Sequence, residues 1–193
     1  MALPATLILL AGGDSRRMGR PKALLPVEDL TLIEWLAQRL APDFEQTLVA
    51  ARESAQLPES LRQRFLADRH AGAGPLAGIE AGLLAAGGRP LVAVACDMPF
   101  VTSELVRRLL RASSGHVAAA PESGGRLHPA CAAYRAGALE PISAALERGE
   151  RRAVDVLAGL DVCRVRVEDA RLLANLNTPA DYREFLAELR KTR

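Results

Sequence analysis

Short apolar runs alternate along this chain with longer segments whose apolar residues recur at helical spacing. The first three of these segments are residues 6–10, 32–40 and 47–51. This order predicts strand, helix and strand, which is the unit from which parallel sheets are built. Residues 91–96 are apolar at every position, as expected of a central parallel strand covered by helices on both faces. The alternation therefore predicts an α/β fold, a three-layer sandwich with a mostly parallel sheet.

The later part of the chain continues this rhythm. Thr102 or Ser103, followed by Glu104, predicts a capping-box start for a helix over residues 102–112. The period of two in residues 162–167 predicts an edge strand with one solvated face. Thr178 and Pro179 form a favourable N-cap and first-turn pair for a terminal helix. The other predicted elements are strands at 116–120 and 129–134 and helices at 75–86 and 138–147.

Composition limits the possible classes of partner. The 193 residues are 49% hydrophobic and 25% charged, which predicts one folded domain over residues 1–193. Because 25 Lys and Arg nearly balance 23 Asp and Glu, and aromatic residues are only 4%, we expect neither nucleic acid nor a membrane as partner. Three widely spaced cysteines indicate a reducing cytoplasm rather than a disulfide framework. The apolar N-terminal run is too short to span a bilayer.

The segment Leu10-Ala11-Gly12-Gly13-Asp14-Ser15-Arg16-Arg17-Met18-Gly19-Arg20-Pro21-Lys22 leaves the first predicted strand. It places three glycines and four cations within thirteen residues. Glycines allow backbone N–H groups to approach phosphates closely, while arginine and lysine supply positive charge. A basic surface loop is the alternative, but in open α/β sheets ligands bind at the carboxyl ends of strands. Ala23 follows Lys22, so the hydroxyl of a P-loop is absent.

Two aspartates follow other predicted apolar runs. Asp97 comes directly after residues 91–96, at the sheet edge where phosphates would bind. Magnesium prefers one or two carboxylates together with phosphate oxygens and water, so Asp97 is a candidate ligand. The alternative for Asp97 is a helix N-cap, but Thr102 or Ser103 already fills that role. Asp68 follows residues 65–67 and is a second candidate for this edge of the sheet. The alternative for Asp68 is a turn-forming role before Gly72.

The joint pattern resembles one known family. L-A-G-G-x-S-x-R-M-G-x-x-K is similar to the signature loop of nucleotidyltransferases with a GT-A-like Rossmann fold, and the Gly12-Gly13 form resembles the molybdenum cofactor guanylyltransferases. The likeness continues in matching order over nearly the whole chain. It includes Gly74-Pro75-Leu76-Ala77-Gly78, Cys96-Asp97-Met98-Pro99, His128-Pro129, Gly149-Glu150-Arg151-Arg152 and Asn175-Leu176-Asn177-Thr178-Pro179.

The resemblance implies transfer of GMP from GTP to molybdenum-molybdopterin, with Mg²⁺ as cofactor. It implies catalytic roles for Lys22, Arg16 and Asp97, with Asp97 also as the metal ligand. Asn175 and Asn177 would lie on the pterin side of the cleft. The nucleotide-binding residues that it implies are Leu10, Ala11, Gly12, Gly13, Lys22, Asp68, Gly74 and Asp97. Further partners would be molybdenum-insertion and molybdoenzyme maturation proteins, and a monomer in the cytoplasm is expected.

Some alternatives stay open. Guanine-specific members of the family carry an Asn shortly after the second strand, where this chain reads Ala50-Ala51-Arg52-Glu53. Because this difference concerns base recognition, transfer of CMP to molybdopterin remains an alternative. Nucleotidyl transfer to a sugar phosphate or polyol phosphate is a second alternative of the same class. A protein of another class, a non-catalytic nucleotide-binding adaptor that delivers the cofactor, would bind GTP without releasing pyrophosphate.

Histidine and cysteine patterns point to no further chemistry. The three histidines lack H-E-x-x-H or another zinc-ligand spacing. We expect His70 and His116 to lie in solvent or at strand ends. Cys131 and Cys163 fall within apolar or alternating runs and are expected to pack in strands. There is no G-x-S-x-G elbow for a serine nucleophile.

Overall fold

A mixed sheet of eight strands forms the centre of the computed structural model, which describes residues 2–12, 21–70 and 72–191. Its strands are β1 (Leu3–Leu10), β4 (Phe44–Ala51), β5 (Phe65–Ala67), β6 (Leu91–Ala95), β7 (Ala118–Ser123), β8 (Arg126–Leu127), β9 (Cys131–Tyr134) and β10 (Val162–Arg166). They lie in the order β10-β7-β9-β6-β1-β4-β5, with β8 paired to β7. A separate antiparallel pair joins β2 (Pro26–Val27) to β3 (Leu30–Thr31).

The helices cover both faces of this sheet. They are α1 (Leu32–Leu40), α2 (Pro75–Ala86), α3 (Ser103–Ala112), α4 (Leu139–Glu147), α5 (Ala153–Ala158) and α6 (Pro179–Lys191). Alternate side chains of β1 point to opposite cores. Leu7 and Leu9 pack with α1 and α3, whereas Ile8 and Leu10 pack with α2, α4 and α5. The predicted three-layer α/β sandwich is therefore confirmed.

The strands of the sheet are parallel to their neighbours except at β8 and β9, which run antiparallel to the strands beside them. β1 runs parallel to both β4 and β6. The prediction of a central parallel strand at β6 is correct toward β1 and wrong on the other side, where β6 pairs antiparallel with β9. The reason is that the chain from β7 through β8 to β9 returns by short connections instead of helical crossovers. β10 lies at the end of the strand order, as its period of two predicted.

The predicted bounds of the helices agree with the structure more closely than the predicted bounds of the strands do. The helices predicted at residues 32–40 and 75–86 have those same bounds. Thr102 caps α3 by accepting a hydrogen bond from the Leu105 amide, while the capping box lies at Thr31 and Glu34 of α1. The strand predicted at 116–120 begins at Ala118, because the His116 amide donates to Ser113 in the preceding turn. The β2–β3 pair, β5, β8 and α5 were not predicted.

Helix α6 attaches the end of the chain to the start of α1. The Phe185 ring packs edge-on against Trp35 and Phe100, with centroids 5.2 and 5.5 Å apart. Leu176, which precedes α6, is buried in the same cluster. This packing brings residues 175–177 back to the carboxyl end of β6, where the Leu176 amide donates to the Asp97 carbonyl at 2.8 Å. Among the described residues, no helix is both long and apolar enough to cross a membrane.

Candidate nucleotide-binding site

Three parallel strands end beside one another and form the floor of a cavity. The Ala11 amide donates to the Ala50 carbonyl at 2.8 Å, and the Cys96 amide donates to the Leu10 carbonyl at 3.0 Å. These bonds hold the ends of β4, β1 and β6 in one row, as expected for a ligand site in an open α/β sheet. The cavity is lined by Leu10, Ala11, Gly12, Lys22, Ala50, Asp68, Gly74, Pro75, Gly78, Ala95, Cys96, Asp97, Ala130 and Asn175.

Lys22 joins two distant parts of the chain within this cavity. Its Nζ donates to Asp97 Oδ2 at 2.8 Å and to Asn177 Oδ1 at 2.9 Å. The Lys22 and Asp97 side chains are 14% and 20% exposed, so the pair is shielded yet open to the cavity. A largely desolvated cation attracts phosphate oxygens more strongly than one in bulk water.

The Asn177 backbone is fixed by the start of α6. The Asp181 carboxylate accepts hydrogen bonds from the Asn177 and Thr178 amides, each at 2.8 Å. These bonds hold the pKa of Asp181 below its usual range. The Asp181 amide in turn donates to Thr178 Oγ1 at 3.2 Å. The cap of the terminal helix thus orients the side chain that accepts from Lys22.

Asp68 presents a carboxylate on the opposite side of the cavity floor. Its amide donates to the Ala51 carbonyl at 3.3 Å, which places the residue at the end of β5. Its Oδ1 is buried and accepts no hydrogen bond from any described residue. Burial raises the pKa of this carboxyl, and the charge of Arg52 opposes that effect. A buried acceptor that faces a cavity is available to hydrogen-bond donors of a ligand.

Three glycines shape the backbone around the cavity floor: Gly12 and Gly78 permit close packing, and Gly74 adopts a positive φ. A Cβ on Gly12 would lie 2.9 Å from Asp68 Oδ2, and one on Gly78 would lie 2.7 Å from Leu10 Cδ2. Gly78 therefore lets α2 rest directly on β1. Gly74 has a φ of 64°, which a residue with a side chain rarely adopts, and it precedes Pro75 at the first turn of α2.

The structure brings most of the predicted site residues together. Leu10, Ala11, Gly12, Lys22, Asp68, Gly74, Asp97 and Asn175 all line the cavity. Asn177 does not line it but contacts Lys22. Gly13 and Arg16, also predicted to act here, lie outside the described residues. Ala50, Ala95 and Ala130 line the cavity although they were not among the predicted site residues. An alanine carries no chemical signal, and only its place next to a motif could have indicated its role.

The cysteines and histidines near the site carry no nucleophile or metal cluster. Burial raises the pKa of the Cys96 thiol, and it raises that of Cys131 to about 12, so neither is poised as a thiolate. His128 is half-buried, and its pKa is lowered by burial and by Arg126. In the described part of the chain, no group of three or more His, Cys, Asp or Glu side chains could hold a metal ion.

The two other histidines differ in their surroundings. His116 Nδ1 lies 3.0 Å from Asp161 Oδ1 just before β7, in keeping with its expected place at a strand end. His70 was expected in solvent or at a strand end, but it is only 34% exposed and faces buried Glu80. This contact had no signal in the sequence, since it joins a loop to the inner face of α2.

The fold and this site together define a nucleotidyltransferase of the α/β class. Residues 7–164 match the MobA-like NTP transferase domain, and the chain belongs to that family. It is 38% identical over 188 residues to the molybdenum cofactor guanylyltransferase of Cereibacter sphaeroides, covering 95% of this chain and 96% of that protein. It is also 38% identical over 184 residues to the Rhodobacter capsulatus protein of the same name, covering 90% of each. Molybdopterin-guanine dinucleotide biosynthesis protein A from Archaeoglobus fulgidus has a similar structure, with a TM-score of 0.82, 29% identity and coverage of 97% and 100%.

Proposed function

We propose that this chain transfers GMP from GTP to the terminal phosphate of molybdenum-loaded molybdopterin, forming the dinucleotide cofactor and pyrophosphate. The observation that carries the proposal is the contact of Lys22 with both Asp97 and Asn177 at one end of the cavity. The names of relatives at 38% identity support the same substrates. No membrane or nucleic acid enters this reaction.

The reaction requires alignment and charge stabilisation more than covalent catalysis. An oxygen of the acceptor phosphate attacks the α-phosphorus, and the bond from that phosphorus to the bridging oxygen breaks, so both electrons leave with pyrophosphate. The Lys22 ammonium compensates the charge that grows on the leaving group. A terminal phosphate with a second pKa of about 6 is already largely ionised at neutral pH, so no general base is needed. Of the described residues that line the cavity, Lys22, Asp68, Cys96 and Asp97 have titratable side chains.

Asp97 is the residue that would hold Mg²⁺. The described residues provide one carboxylate at this end of the cavity, with amide oxygens nearby, and this donor set suits an ion that takes its other ligands from phosphates and water. When bound, Mg²⁺ supplies positive charge to the phosphate oxygens. The Lys22 ammonium already pairs with Asp97. When the triphosphate binds, this ammonium would be shared between the Asp97 carboxylate and the phosphates.

Asp68 supports guanine as the base. An ionised carboxylate is an acceptor only, and guanine offers two adjacent donors, N1–H and the N2 amino group, to such a partner. Cytosine offers one donor beside an acceptor and would leave a carboxylate oxygen facing a lone pair. Ala50 and Ala51, which stand near the position of the family Asn, hold the site through their carbonyls. In this proposal Asp68 takes over base recognition, and the backbone of residues 10–12 holds the nucleoside.

The direct test follows the labelled nucleotide into product. Purified protein would be incubated with Mg²⁺, molybdenum-loaded molybdopterin and GTP carrying label at either the α- or the γ-phosphate. We expect the α-label in the dinucleotide and the γ-label in pyrophosphate. Appearance of the γ-label in the pterin product, or no dinucleotide at all, would contradict the proposal. The Asp97→Asn variant is the matched control, because it keeps the shape of the site.

A further inference from the structure

A nearly buried carboxylate lies behind the nucleotide site on α2. The Glu80 side chain is 3% exposed. Its Oε1 accepts a hydrogen bond of 2.6 Å from Ser143 Oγ on α4. Its Oε2 is buried and makes no hydrogen bond with a described residue, although it lies 3.3 Å from His70 Nε2. The distance suits an ion pair, but the present ring orientation does not give hydrogen-bond geometry.

Burial of the Glu80 carboxylate reduces the free energy of unfolding unless both of its oxygens have partners. A buried carboxylate needs paired charge or several hydrogen-bond donors, and one serine hydroxyl satisfies only one of its oxygens. His70 can donate from Nε2, either as the imidazolium or as the Nε2–H tautomer. A small rotation of its half-buried ring would complete the second hydrogen bond. The Glu80 carboxylate therefore favours a position of the His70 ring against the inner face of α2.

His70 lies in the connection that carries Asp68 to α2. This β5–α2 segment is described at residues 68–70 and 72–74. Within it the Ala73 amide donates to the His70 carbonyl at 3.2 Å, which ties the turn to His70. On the other flank Arg151 Nη1 donates to the Gly72 carbonyl at 2.9 Å. The segment thus has one attachment to Glu80 on α2 and another to Arg151, just before α5. None of the residues in these two contacts lines the cavity.

We propose that His70 and Glu80, the latter held by Ser143, form a latch that positions the β5–α2 segment for nucleotide binding. Both are positioning residues, because they act through Asp68 and Gly74 rather than touching the substrate. The inference rests on the proposed function in one respect, namely that Asp68 contacts the nucleotide. A latch of this kind sets the affinity of the ground state and leaves the transferring phosphate untouched, so it governs KM more than kcat.

The test is a double-mutant cycle on the full chain. His70→Ala and Glu80→Leu would each raise the KM for GTP, and the Kd for GTP with Mg²⁺ in calorimetry, about five- to tenfold, with kcat within about twofold. Replacing Glu80 by leucine removes the buried charge at similar volume, which favours folding. The double variant should be no worse than the weaker-binding single variant, since both changes remove the same contact. His70→Gln keeps a side-chain N–H donor and should restore most of the affinity. His116→Ala, at the exposed contact with Asp161, is the matched control.

Three results would overturn the latch: single variants that bind GTP within twofold of wild type, a double variant whose loss is the product of the single losses, or His70→Gln as weak as His70→Ala. The Kd measurement separates this inference from the proposed reaction. If wild-type protein binds GTP but releases no pyrophosphate, the proposed reaction is wrong. The double-mutant cycle on the Kd for GTP still tests the latch in that case. If it does not bind GTP at all, both are wrong.

Discussion

Lys22 and Asp97 stand 75 positions apart in the chain, and their Nζ and Oδ2 atoms meet at 2.8 Å. The lysine begins a short 3₁₀ turn after the signature loop, and the aspartate follows the central strand β6. Each residue holds the other in place at the carboxyl edge of the sheet, with Asn177 as a further acceptor for the ammonium. The cation and the carboxylate are therefore prepositioned, which in the proposed reaction would lower the cost of organising them for transfer.

Replacing Lys22 by alanine tests the role of the cation. We expect kcat/KM for GTP to fall about 100-fold or more, because in the proposed reaction the Lys22 charge stabilises the leaving pyrophosphate. Pyrophosphate release over a range of GTP concentrations measures this. Lys191→Ala, at the exposed end of α6, is the control and should behave as wild type. Unchanged use of GTP by Lys22→Ala would exclude the phosphate role.

Replacing Asp97 by alanine tests the carboxylate. We expect Mg²⁺-dependent pyrophosphate release to disappear while the thermal unfolding midpoint stays within a few degrees. The fold survives because the contact of residue 97 with residue 176 is made by its backbone carbonyl. Titration of Mg²⁺ against rate provides the measurement, with Asp161→Ala as an exposed control. Retention of most activity at any Mg²⁺ concentration would show that the metal assignment is wrong.

Asp68→Asn separates the function of the site from its stability. Because burial raises the folded-state pKa of Asp68, the folded protein binds more protons than the unfolded one between the ordinary and the raised value. Wild-type stability therefore falls as pH rises through this window, and Asp68→Asn should avoid that loss. At neutral pH we expect the variant to melt about 1–3 °C higher. Thermal unfolding of both proteins between pH 3 and pH 8 checks this, and a variant less stable than wild type at neutral pH would contradict it.

The same carboxylate should make GTP binding depend on pH. Protonation removes an acceptor, so the wild-type KM for GTP should rise as pH falls through the raised pKa of Asp68. Asp68→Asn should show a KM about tenfold or more above wild type at neutral pH, with little change on acidification. Initial rates at fixed ionic strength measure both. A wild-type KM that is as flat with pH as that of the variant would remove Asp68 from base recognition.

Gly78→Ala probes the close approach of α2 to the sheet. The added Cβ would lie 2.7 Å from Leu10 Cδ2 and 3.0 Å from Ala50 Cβ, so the Leu10 side chain must turn aside and α2 must shift slightly from β4. We expect a loss of about 1–3 kcal/mol in the free energy of unfolding together with a higher KM for GTP.

Gly82→Ala is the matched control for this change. Its Cβ would lie 2.7 Å from Ile8 Cδ1, one helical turn further from the cavity. A similar loss of stability is expected, without the change in KM. If both variants altered KM equally, the effect would belong to the helix as a whole and not to the approach at Gly78.

Local pattern was sufficient to predict the helices other than α5. The helices at α1 and α2 have the predicted bounds because caps and periodicity are local properties. The loop that ends at Lys22 and the residue Asp97 were both predicted to lie where ligands bind, because strand ends meet at one edge of an α/β sheet. Their catalytic roles were implied by the family resemblance. The antiparallel return of β9 beside β6 could not be predicted, since it depends on which strands pair across the sheet.

The buried polar contacts could not be predicted from the sequence, for a different reason. Glu80 sits in a helix between Ile79 and Ala81, and nothing in that pattern shows that Ser143 and His70 face it from other elements. The hydrogen bond from Arg151 to the Gly72 carbonyl is likewise not indicated by the sequence, although Arg151 lies in one of the family motifs. Long-range contacts of single side chains depend on tertiary packing, which periodicity does not encode.

Pyrophosphate release with each of four nucleotides is the most direct test of the proposed reaction. Purified protein, Mg²⁺ and molybdenum-loaded molybdopterin would be combined with GTP, CTP, ATP or UTP in separate reactions. The proposal predicts release with GTP and little with the others, and a weaker signal at sub-saturating GTP in Asp68→Asn and in Lys22→Ala. Release with CTP instead would contradict guanine recognition by Asp68, and no release with any nucleotide would contradict the transfer reaction itself.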